Sequence, residues 1–149
     1  MAEAPIIKQK FDWKTLLIWK SIEPLQQYPA APLEYLGFLR TTGLQAVLGQ
    51  CKGMLMTPHW EEAFGNVTIE AMACGVPVIA YRKGGLQDIV TSGKTGYLVE
   101  PGDVKGLVNA ISQLDAIDRH QCRAQVEAHH SLESWGDRME AWLMQVINS

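Results

Sequence analysis

Five short apolar runs alternate with segments of helical periodicity, and this alternation constrains the fold more than any other feature of the chain. The runs are Trp13–Trp19, Leu33–Leu39, Gly53–Thr57, Pro77–Tyr81 and Tyr97–Val99. Each is of strand length, and turn-forming residues punctuate the chain between them. Ile22–Tyr28 reads as a helical turn or two, closed by Pro29 and Pro32. Thr41–Cys51 carries Leu44, Val47 and Leu48 at i, i+3, i+4, an amphipathic helix. Asn66–Cys74 places Val67, Ala71 and Cys74 at helical spacing and stops at Gly75. Gly84-Gly85 opens a short helix, Leu86–Thr91. From Asp103 onward the chain is helical: Asp103 caps Val104–Leu114, Asp118 caps the next segment, and Ser131–Ile147 forms a last helix. Strands alternating with helices pair in parallel through right-handed crossovers, which gives an α/β fold with a single doubly wound parallel sheet. The expected organisation is one domain over residues 1–149: a tail or substitute strand at 1–12, a sheet core at 13–102 and C-terminal helices at 103–149.

A chain of 149 residues with 47% apolar side chains is long enough to build a core without covalent staples. Thirteen basic against sixteen acidic residues give a formal charge of −3, the wrong balance for a nucleic-acid binder. Cys51, Cys74 and Cys122 are odd in number and form no Cys-x-x-Cys, so they read as reduced thiols rather than a disulfide framework or a metal site. The longest apolar stretch, Ala71–Tyr81, is interrupted by Gly75 and Pro77 and is too short for a transmembrane segment. Met1–Pro5 lacks a signal-peptide pattern, and a cytoplasmic location is expected.

Open parallel sheets bind ligands beyond the carboxyl ends of their strands, at helix N-termini. Two loops in such positions are distinctive. Thr57–Asn66 runs through Glu62, Phe64 and Gly65 into the helix that holds Glu70. A glycine at a helix mouth lets backbone N–H groups approach an anion, and the helix dipole favours phosphate there. Glu70 can then face the hydroxyls of a bound molecule, and Glu62 the far side of its phosphates. The spacing of the two acids proves nothing alone: a loop acid and a solvated helix acid would look the same. In Tyr81–Gly85, the Gly84-Gly85 pair serves either an anion-holding nest or a plain strand-to-helix turn, with Arg82 and Lys83 as surface charges. Ser92-Gly93-Lys94-Thr95 imitates the end of a phosphate loop, but Asp88 stands where the first glycine belongs and a strand follows, so it reads as a polar turn. His129-His130 reads as helix surface.

Taken together, Met54–Pro58, Glu62–Gly65, Glu70–Ala80, Gly84–Leu86, Asp88–Val90, Gly93–Val99 and Pro101–Asp103 resemble the donor-binding, C-terminal domain of family 4 retaining glycosyltransferases (glycosyl transferases group 1), whose fold is GT-B and Rossmann-like. Leu33–Gln50 is similar to the preceding strand and helix of that family. The resemblance implies a nucleotide-diphosphate sugar as donor and transfer to an acceptor hydroxyl with retention. It implies Glu62 as the catalytic residue, lying by the transferred sugar and helping to orient or stabilise it, and Glu70 as acceptor of ribose hydroxyls. Phe64, Gly65 and Asn66 match the helix mouth whose amides hold the diphosphate, with Gly84 and Gly85 also at the donor. It implies no metal and no other cofactor.

The chain departs from the family pattern at its start. A strand and helix carrying Gly-Arg and a later Lys have no counterpart before Trp13, and Trp19–Pro24 stands in place of a Gly-x-Gly-Pro loop. Charge-assisted hydrogen bonds are worth about 1.5–3 kcal/mol each, so loss of both cations weakens donor binding by about 10²–10⁴-fold. The missing first strand is central in the order 3-2-1-4-5-6. Residues near Pro5–Lys10 replace it, Trp13–Trp19 moves beside Gly53–Thr57, or another chain supplies it. An N-terminal acceptor-binding lobe in another chain, or a homo-oligomer, is the implied partner. The alternative to a donor-binding enzyme domain is a non-catalytic lobe acting as an interaction module.

Overall fold

A computed structural model describes residues 6–11, 14–19, 33–37 and 39–148. The strands are β1 (Ile6–Phe11), β2 (Lys14–Trp19), β3 (Leu33–Tyr35), β4 (Cys51–Met56), β5 (Val78–Tyr81) and β6 (Gly96–Val99). The helices are α1 (Thr41–Gly49), α2 (Asn66–Ala73), α3 (Leu86–Ile89), α4 (Val104–Ser112), α5 (Arg119–His129) and α6 (Leu132–Ile147), with a 3-10 turn at Leu114–Ala116. The helical turn expected at Ile22–Tyr28 lies outside the described residues.

The strands form one sheet in the order β3-β1-β2-β4-β5-β6. β2, β4, β5 and β6 pair in parallel, as the strand–helix alternation requires. β1 pairs antiparallel with both β2 and β3, so it runs against the other described strands, an inversion the alternation does not foresee. Of the three ways to fill the place of the missing first strand, the second holds: Leu17 pairs with Met54 and Trp19 with Met56. The segment 6–11 does become a strand, but on the far side of β2. The expected second strand is shorter than its apolar run, ending at Tyr35.

Period-two alternation splits the central strands between two layers. Met54 and Met56 of β4 and Val78 and Ala80 of β5 join one cluster with Leu44, Leu48, Ala71, Met72, Leu86, Cys122 and Val126. Leu55 and Ile79 point the other way, onto Ala110 and Leu114. Helices α1, α2, α3 and α5 thus cover one face, while α4 and the 3-10 turn cover the other. Leu48, Met54, Met72, Val78 and Ile79 are fully buried, each contributing about 1.5–3 kcal/mol of hydrophobic stabilisation. Gly53 belongs to the second face because a Cβ there would meet Leu114 Cδ1 at 2.7 Å.

The capping expectations hold. Asp103 accepts from Gly106 N at 2.9 Å, and Asp118 from His120 N at 2.9 Å. Ser131 accepts from Ser134 N at 3.1 Å and starts α6. Ser92–Thr95 forms the expected turn: Lys94 N donates to Thr91 O at 3.0 Å, and β6 follows. Among the described residues no helix is long and apolar enough to cross a membrane.

Candidate functional site

β4 and β5 are parallel neighbours, so the loops leaving their carboxyl ends emerge side by side. Residues 57–65 follow β4 and residues 82–85 follow β5. Sequence distance hides how closely they fit. The Gly85 N–H donates to Glu62 O at 2.7 Å. A Cβ on Gly85 would lie 2.7 Å from Ala63 O and 3.1 Å from Phe64 Cα. Gly84 has φ +53°, and a Cβ on it would overlap the Glu62 backbone. The two glycines therefore let one backbone lie directly on the other. Lys83, set down from sequence as a surface charge, donates through Nζ to His59 O at 2.7 Å and stands 3.7 Å from a Glu61 carboxylate oxygen.

At the end of the first loop, Gly65 adopts φ +83° and becomes the N-cap of α2. Thr68 N and Ile69 N donate to its carbonyl at 2.9 and 3.4 Å. Gly65 has no side-chain oxygen to offer the first turn, and among the described residues no backbone acceptor pairs with Asn66 N–H or Val67 N–H. An α-helix leaves its first N–H groups and the positive end of its dipole at such a mouth. Thr68 is fully buried just inside it, and its Oγ1 has no partner among the described residues.

The predicted site residues divide among three surroundings. Glu62, Gly84 and Gly85 meet at the loop contact, where the Glu62 carboxylate accepts from Trp60 Nε1 at 3.1 Å. Asn66 and Glu70 are both exposed, four residues apart on one face of α2. Glu70 lines a cleft of about 470 Å3 with Thr41, Leu44 and Gln45 of α1, Cys74 and Arg123. Glu62 is not part of that described lining. Burial raises the Cys74 thiol pKa above its ordinary value, and the nearby Glu70 carboxylate adds to the rise.

Phe64 goes elsewhere. Its ring is half exposed and turned toward α6, 6.4 Å from the His130 ring in an edge-to-face arrangement. With Trp135, Met139 and Trp142 it lines a separate groove of about 390 Å3. Only the Phe64 backbone belongs to the α2 mouth. His130 is half-buried here rather than free helix surface, and burial, then Arg138 and His129, lower its pKa.

Trp60 was missed in the sequence. The available signal was a large aromatic residue in a polar loop, two positions before an acid singled out for its chemistry.

Residues 26–129 match the family profile described as glycosyl transferases group 1, and the chain belongs to that family. D-inositol 3-phosphate glycosyltransferase of Corynebacterium jeikeium is 35% identical over 115 residues, covering 76% of this chain and 25% of that protein. Among solved structures, HepE of Anabaena in complex with UDP-glucose superposes with a TM-score of 0.68 at 28% identity, covering 83% of this chain and 36% of that one. Sucrose-phosphate synthase of Thermosynechococcus elongatus gives a TM-score of 0.66 at 34% identity over 85% of this chain and 34% of that one. The fold matches these GT-B glycosyltransferase structures. The chain spans between 9% and 25% of the length of curated relatives such as these.

Proposed function

We propose that this chain is a C-terminal, donor-binding domain of a retaining glycosyltransferase that holds a nucleotide-diphosphate sugar. The observation that carries this reading is the mouth of α2: a glycine cap at φ +83°, and an acid, Glu70, one turn along the exposed face of the same helix. The backbone amides of Phe64, Gly65 and Asn66 face the diphosphate, Glu70 accepts from the ribose hydroxyls, and Glu62 lies beside the sugar. Departure of the nucleoside diphosphate develops negative charge, and donors already oriented toward that charge lower the barrier. The HepE structure with UDP-glucose supports the donor class. No metal is needed in this reading, because the helix mouth itself neutralises part of the diphosphate charge.

Calorimetric titration with UDP, GDP and ADP, alone and as sugar conjugates, tests it. Micromolar to millimolar binding of one nucleotide class is expected. A folded chain that binds none of them at millimolar concentration overturns the reading.

A second reading has an observation of its own. α6 has no buried residue, and Leu132, Trp135, Trp142 and Ile147 are exposed. This apolar face suits an acceptor-binding lobe or a second copy of the chain. Light scattering separates the two readings: a clean monomer that binds nucleotide argues against a pure interaction module.

A further inference from the structure

One exposed aromatic side chain stands next to the proposed donor site and is hydrogen-bonded to one of its residues. Trp60 is 53% exposed and belongs to neither core cluster. Its indole N–H donates to Oε2 of Glu62 at 3.1 Å. Holding a large side chain in one rotamer at the surface costs conformational entropy, so a free loop would leave it mobile. This loop is not free. Lys83 Nζ ties down His59 O on one side of Trp60, and Gly85 N–H ties down Glu62 O on the other. Both anchors come from the β5–α3 turn, which is itself fixed by α3 packing Leu86 and Ile89 into the core.

We propose that Trp60 is a positioning residue for Glu62 and forms the sugar-facing wall of the donor site. This inference rests on the donor reading above and identifies the glycosyl part of the donor as what Trp60 senses. The indole N–H takes up lone-pair capacity on one carboxylate oxygen of Glu62. The other oxygen is left with acceptor capacity for a sugar hydroxyl. A carboxylate fixed beforehand loses less freedom when that hydroxyl arrives. The half-exposed indole face adds an apolar surface on which the C–H face of a pyranose stacks, while its N–H stays engaged. The recognised group is a hexose bearing a free hydroxyl toward Glu62, carried on a nucleoside diphosphate.

The test compares wild type, Trp60→Phe and Trp60→Ala. Each is titrated calorimetrically with UDP against UDP-glucose and with GDP against GDP-mannose, and thermal melts check folding. All three proteins are expected to melt alike. The wild type is expected to bind a sugar conjugate more tightly than the matching bare nucleotide. Trp60→Phe, which keeps a ring but loses the N–H, should cut that preference by about tenfold, and Trp60→Ala should cut it further. Affinity for the bare nucleotide should stay within about twofold, because neither the helix mouth nor Glu70 is touched.

An unchanged preference in both variants overturns the proposal and leaves the donor reading standing. Equal weakening toward nucleotide and conjugate also overturns it, since Trp60 would then merely support the loop. A wild type that binds nucleotides without preferring their sugar conjugates likewise rules out the Trp60 role alone. Binding of neither kind of ligand removes the donor reading and this inference with it.

Discussion

Gly85 donates its backbone N–H to the carbonyl oxygen of Glu62 at 2.7 Å, and this bond joins the two loops that emerge from neighbouring parallel strands. It places Glu62, proposed to lie beside the sugar, on a floor made by a glycine turn rather than on a free surface loop. Gly85 thereby uses its amide on the protein itself.

Adding a methyl group to that floor should be costly. In Gly85→Ala the new Cβ meets backbone atoms of Ala63 and Phe64, which cannot swing aside as a flexible side chain would. A loss of about 1–3 kcal/mol is expected, read as a lowered Tm, together with weaker nucleotide-sugar binding. Gly136→Ala is the contrast: nothing lies within 4 Å of its Cβ position in α6, so a gain of about 0.5–1 kcal/mol is expected.

Glu70 is exposed and lines the cleft between α1 and α2. Glu70→Ala should leave the melting transition within about 0.5 kcal/mol of wild type. It should nevertheless weaken nucleotide binding by about 10–100-fold, the value of a charge-assisted hydrogen bond, when measured by calorimetry. An unchanged Kd would remove Glu70 from the site.

The cysteines should report burial. Cys51 and Cys122 are buried and Cys74 is half-buried, and among the described residues none of the three forms a disulfide. Iodoacetamide labelling of native protein followed by mass spectrometry should modify Cys74 first, and more slowly than a free thiol, because burial and Glu70 both disfavour its thiolate. Cys51 and Cys122 should label only after unfolding.

Burial raises the Cys122 pKa from an ordinary 9.0 to about 11. The unfolded chain therefore loses this proton at lower pH than the folded chain does. The resulting stability is fully present below pH 9 and is lost as pH rises from 9 toward 11. Denaturant midpoints across that window should fall in wild type and fall less steeply in Cys122→Ala.

The α6 face should govern self-association. Trp142 and Trp135 are each more than half exposed beside Phe64 and Met139. The weight-average mass from light scattering should rise with concentration, and Trp142→Ser should suppress the rise. A wild type that stays monomeric at high concentration would rule out a homo-oligomer through this face.

Much of the fold was legible because its signals are local. Helical spacing in Thr41–Gly49 and Asn66–Ala73, the stop at Gly75, and the caps Asp103 and Asp118 each depend on a few adjacent residues. The short strands β4, β5 and β6 follow from apolar runs bounded by turn residues. The glycine before α2 is likewise a local signal, whereas the two glutamates stood out only through the family resemblance of the stretch that holds them.

Only the tertiary structure decided which strands became neighbours and what the loops leaned on. No periodicity places β2 beside β4 or inverts β1, because register depends on pairing between distant segments. Nothing in Lys83 points to His59 O, and nothing in Gly84-Gly85 separates an anion nest from a seat for the Glu62 backbone. The Phe64 ring lies edge-on to His130 and shares a groove with Trp135 and Trp142 of α6, a placement that no local pattern announces. Local pattern sets the elements; which surfaces they bury against one another is settled only when the whole sheet assembles and each loop finds its backbone partner across it.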